Sequence, residues 1–158
     1  MNKQIKVDFA SLFPLIADAM NQGQCFSFTA FGKSMEPFLR GGVDRVVLGP
    51  FRGEPEVGEV YFYRRENGAF VLHRLIRKKG DTLFFCGDNQ FRKETGIRRE
   101  QIIARLEKRI RKEKEMDRAT LPFRFIAFFL PVRRTLLWGA DLVKRIVKRI
   151  GRGIGFSR

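Results

Sequence analysis

Short apolar stretches punctuated by turn-forming clusters, about ten residues apart, fill the middle of this chain and restrict it to an antiparallel β architecture. Cys25 to Phe31 reads CFSFTAF, the period-two alternation of a half-buried strand. Further strands are expected over Arg45 to Leu48, Glu59 to Tyr63, Phe70 to Ile76 and Thr82 to Cys86. Turn clusters such as Gly49-Pro50, Glu66-Asn67-Gly68 and Lys79-Gly80-Asp81 separate them. Short strands joined in this way imply a twisted, mainly β domain.

The flanks differ from this middle. Phe9, Leu12, Phe13, Ile16, Ala19 and Met20 recur at helical spacing within residues 8 to 22, and Asn21-Gln22-Gly23 is a helix stop. After Gly87-Asp88-Asn89, the segment RREQIIARLEKRIRKEKEMD reads as a final strand running into a charged, solvated connector. The 158 residues therefore divide into an N-terminal amphipathic helix (1–24), a β domain (25–118) and a basic tail (119–158). That length suits one compact domain with a terminal extension.

A hydrophobic content of 44% and an aromatic content of 13% exclude a disordered polyelectrolyte. The formal charge of +15 calls for an anionic partner. Its distribution is uneven: residues 1–60 hold 6 basic and 7 acidic side chains, 61–118 hold 17 and 9, and 119–158 hold 9 and 1. In the tail, Leu136, Ala140, Val143, Ile146, Val147 and Ile150 share one helical face, with Lys144, Arg145, Lys148 and Arg149 opposite. Together with Trp138, this matches a helix lying in the plane of an anionic membrane surface. The plainer alternative packs the apolar stripe on the β domain. A nucleic-acid-binding arm fits less well, because the aromatics crowd into FRFIAFFL.

The N-terminus lacks a signal-peptide core. The longest apolar run, Phe125 to Val132, has 8 residues where a bilayer requires about 20. A cytoplasmic, peripherally membrane-associated protein is expected.

Three residues carry the chemistry. Ser34 lies in Gly32-Lys33-Ser34-Met35-Glu36-Pro37, a tight segment able to hold a hydroxyl beside backbone N–H groups, as a nucleophile with an oxyanion hole requires. His73, in VLHRLI, is the only histidine, so any imidazole chemistry uses it. Asp88 lies in CGDNQ. Singly, each has a bland reading: a turn serine, a structural histidine, a turn-forming aspartate. Cys25 and Cys86 belong to no C-x-x-C pair and, with one histidine, compose no zinc set, so they read as reduced thiols and no metal or cofactor is expected.

Taken in order, G-K-S-M-E-P, V-L-H-R-L-I and F-F-C-G-D-N resemble the signal peptidase and LexA-type serine peptidase superfamily, across roughly residues 27 to 106. His73-Arg74-Leu75-Ile76 is similar to the branch typified by endoplasmic-reticulum and archaeal signal peptidases, where histidine replaces the more usual lysine base. The resemblance implies a signal-peptidase-like antiparallel β catalytic domain and a serine endopeptidase acting on a leader-like peptide or preprotein. It makes Ser34 the nucleophile, His73 the general base and Asp88 the orienting carboxylate, with the oxyanion held near Ser34 and Met35. Lys33 is rejected as base because neighbours on an extended segment point apart. That branch often carries a second aspartate after G-D-N; Gln90 to Glu94 offers none, leaving Asp88 alone or the third member dispensable. The alternatives are a noncatalytic or self-processing LexA-like regulator and a basic nucleic-acid-binding protein. The oligomeric state is not legible.

Overall fold

The computed structural model describes residues 8–119. Helix α1 (Phe9–Asn21) opens the fold. Asp8 caps it, accepting hydrogen bonds from Ala10 N at 3.1 Å and Ser11 Oγ at 2.6 Å, which satisfies one of the orphan amides of the first turn. Eight strands follow: β1 (Phe26–Thr29), β2 (Arg45–Pro50), β3 (Val60–Arg64), β4 (Phe70–Lys79), β5 (Thr82–Cys86), β6 (Glu94–Ile97), β7 (Ile102–Arg111) and β8 (Lys114–Asp117). They form one antiparallel sheet in the order β1-β2-β7-β3-β4-β5-β6, with β8 added to β7.

The mainly β expectation holds. Strand β3 is central, and Val60, Tyr61, Phe62 and Tyr63 are all buried. Successive strand side chains face opposite ways, so β3 feeds two cores. Val60 and Phe62 join Ile16, Met20, Val46, Leu48 and Leu106, while Tyr61 and Tyr63 join Leu75, Leu83, Phe85 and Ile97. Helix α1 belongs to the first core through Ile16 and Met20.

The segment read as a solvated connector is instead ordered as β8. A two-residue turn, Lys112 and Glu113, both with positive φ, folds it back on β7. Lys108 lies 3.0 Å from Glu115, and Arg118 lies 3.4 Å from Glu107, so charges that looked solvated meet across the hairpin. Two further differences are small: β4 runs three residues beyond Ile76, and β6 has no counterpart among the expected strands.

No helix among the described residues is long and apolar enough to cross a membrane. The expected tail helix, including Trp138 and the basic face around Lys144 to Arg149, lies outside the described residues.

Candidate active site

Ser34 sits on the loop between β1 and β2. The base of that loop is closed by Ala30 N donating to Asp44 O and Gly42 N donating to Ala30 O, both at 2.8 Å. Asp44 is fully buried and accepts Arg40 N at 2.8 Å and both Nε and Nη2 of Arg111 at 2.6 Å. Burial opposes its charge, but the Arg111 and Arg40 hydrogen bonds outweigh burial and hold the carboxyl below its usual range. Met35, Phe38 and Leu39 sink into the first core, leaving Ser34 half-buried at the loop surface.

The G-D-N segment after β5 clamps this loop from the other side. Asn89 N donates to Ser34 O at 2.8 Å, and Asn89 Nδ2 donates to Lys33 O at 3.2 Å. Gly87 packs so closely that a Cβ there would lie 2.5 Å from Ser34 O, which is why only glycine fits.

Asp88, expected as the orienting carboxylate, is engaged by Arg74. Its carboxylate accepts Arg74 Nε at 2.9 Å and Nη2 at 2.7 Å, in a pair whose side chains are each only 2% exposed. Arg74 also donates to Gly58 O at 2.5 Å and lies 4.9 Å from the Phe38 ring centroid. Adjacent residues of β4 point to opposite faces, so Arg74 and His73 meet different partners. The Arg74–Asp88 pair therefore ties β4 to the clamp on the serine loop.

The carboxylate beside the imidazole belongs to Glu94. His73, 3% exposed, has Nδ1 2.9 Å from Glu94 Oε1 and 3.5 Å from the Tyr63 hydroxyl. Glu94 is held in turn by Arg65, whose Nε and Nη2 donate to it at 2.8 and 2.6 Å. Burial weighs against the Glu94 charge, but Arg65, Tyr63 and His73 together hold its carboxyl below the ordinary range. Burial pushes the Tyr63 hydroxyl upward, and the Glu94 charge adds to it. Burial also lowers the His73 pKa, with Glu94 acting in opposition. A neutral imidazole donating from Nδ1 to a carboxylate keeps Nε2 as its proton acceptor.

Ser34, Met35 and His73 line one cleft of about 320 Å³, walled by Phe28, Phe31 and Leu72 among others. Asp88 is not part of that lining. Among the described residues no hydrogen bond joins the Ser34 hydroxyl to His73; such contacts are often long before substrate binds. Nor do three or more His, Cys, Asp or Glu side chains group there as a metal site. Cys25 is exposed, while Cys86 is buried with its Sγ donating to Gln90 O and Arg92 O at 3.3 Å, and neither forms a disulfide among the described residues.

Arg65, Tyr63, Asn89 and Glu94 were not singled out by the sequence. Glu94 lies within the stretch where a second aspartate was sought, and a glutamate supplies the same carboxylate one methylene farther out. The chain matches no protein-family model, no curated protein and no solved structure.

Proposed function

We propose that the chain is a serine endopeptidase in which Ser34 attacks a peptide carbonyl and His73 is the general base. The observation that carries this reading is the shared cleft of Ser34 and His73, with the imidazole Nδ1 engaged by Glu94. In that chemistry His73 Nε2 takes the Ser34 proton as the acyl bond forms and returns it to the leaving amine as the peptide bond breaks. Water then hydrolyses the ester by the same route. Glu94 fixes the tautomer and stabilises the imidazolium. Backbone N–H groups of Ser34 and Met35 supply the oxyanion hole, an effect of about 3 kcal/mol per donor in comparable sites. The substrate class, a leader-like peptide or preprotein, follows from the motif resemblance, and the basic tail would bring the enzyme to an anionic membrane surface.

The test is cleavage of a peptide library by the full chain. Ser34→Ala should abolish every cleavage while preserving the melting transition. Full turnover by that variant would end the reading. Cleavage confined to the chain itself would favour the self-processing regulator.

A further inference from the structure

A wider recess of about 1040 Å³ opens beside the Ser34 cleft, and Arg65 and Gln90 wall both. It is formed by β6 and by the turn that carries Phe91, Arg92 and Lys93. Its charges do not cancel. Arg65 is committed to Glu94, and Glu66 lies 3.6 Å from Arg98. Arg92 and Lys93 are exposed and form no ion pair among the described residues. The recess therefore presents two uncompensated cations, while the adjoining cleft is walled by phenylalanine and leucine.

We propose that this recess receives acidic side chains of the substrate, so that a peptide is recognised by an apolar residue in the Ser34 cleft and by one or more carboxylates against Arg92 and Lys93. This rests on the peptidase reading. Continuity through Arg65 and Gln90 puts those carboxylates within a few residues of the scissile bond, since an extended chain advances about 3.3 Å per residue. Phe91, 51% exposed and part of the same lining, gives the methylenes of a glutamate an apolar surface to lie on. Complementary charge of this kind sets selectivity among otherwise similar peptides.

The test uses two fluorescent peptide pools with identical apolar residues, one carrying glutamate where the other carries glutamine. Their affinities are measured on the full chain bearing Ser34→Ala, and their kcat/KM values on the unsubstituted chain. The glutamate pool should bind about tenfold more tightly. Adding Arg92→Glu with Lys93→Glu should erase or reverse that preference without altering the melting transition. Lys112→Glu with Lys114→Glu, which lowers the net charge equally on the β7–β8 hairpin, on the far side of β3, β4 and β5 from β6, should retain it. A preference that survives the Arg92/Lys93 reversal, or falls equally in the distant control, overturns the proposal. Failure of the peptidase reading appears separately, as no cleavage of either pool, and the binding measurement still decides whether the recess selects acidic peptides.

Discussion

Glu94 on β6 reaches across β5 to place its Oε1 2.9 Å from Nδ1 of His73 on β4, while Asp88, the acidic residue of the G-D-N motif, is bound to Arg74. The two carboxylates thus have separable duties, and their substitutions should give different phenotypes.

Glu94→Gln should lower kcat by about 10²- to 10⁴-fold with little change in KM, because the imidazole loses both its tautomer control and its counter-charge. Glu94→Asp should recover part of the rate. The glutamine variant should also move the His73 pKa farther down, since the Glu94 charge is the largest effect raising it against burial. A pH–rate profile and imidazole NMR together check this. An unchanged kcat and an unchanged His73 titration would remove Glu94 from the machinery.

Asp88→Asn, by contrast, removes the carboxylate charge that accepts Nε and Nη2 of the buried Arg74 guanidinium. Breaking one side of such a pair costs about 3–5 kcal/mol, so denaturant unfolding should show a large loss of stability. The His73 pKa should move down less than in Glu94→Gln, because the Asp88 charge raises it more weakly than Glu94 does. A stable Asp88→Asn protein whose His73 pKa falls farther than in Glu94→Gln would restore Asp88 as the orienting residue.

Because burial lowers the His73 pKa, its base form should persist into mildly acidic solution. The rate should rise with pH through a midpoint below the unperturbed value of about 6.5 and be level above it. The linkage has the same sign. Between the folded and unfolded pKa values the unfolded chain binds more protons, so this histidine's contribution to stability is complete above about pH 6.5 and declines as pH falls towards the folded value. His73→Gln should flatten both dependences. A midpoint above 7 in the unsubstituted chain would contradict the buried, neutral imidazole.

The tail prediction rests on its 9 basic and 1 acidic side chains over residues 119–158. The full chain should sediment with anionic phosphatidylserine vesicles, and a chain ending at residue 118 should not. Because each juxtamembrane basic residue contributes about 1 kcal/mol and apolar insertion adds to it, salt should weaken this binding only partly. If the shortened chain instead loses its cooperative melt, the tail is part of the core.

Local alternation made the strands legible: Cys25 to Phe31 contains β1, and the Phe70 and Thr82 segments became β4 and β5. Strand β8 was not legible because KEMD has no apolar period; its ion pairs with β7 arise only after the hairpin forms. Ser34 and His73 were legible as candidates because their motifs are local. The partner of Asp88 was not legible for the converse reason: it is decided by which face of β4 each residue presents, a matter of sheet register that residue order does not display. Glu94 required the same knowledge, since it meets His73 only through the β4-β5-β6 pairing.

The proposed peptidase chemistry requires Ser34 to be a nucleophile served by His73. Intact-mass spectrometry of the full chain with a peptidyl fluorophosphonate or boronate measures it most directly. A single adduct should form that maps to Ser34, is absent from Ser34→Ala, and forms far more slowly in His73→Gln at neutral pH. An adduct on another residue, or equal labelling of the Ser34→Ala chain, would contradict it.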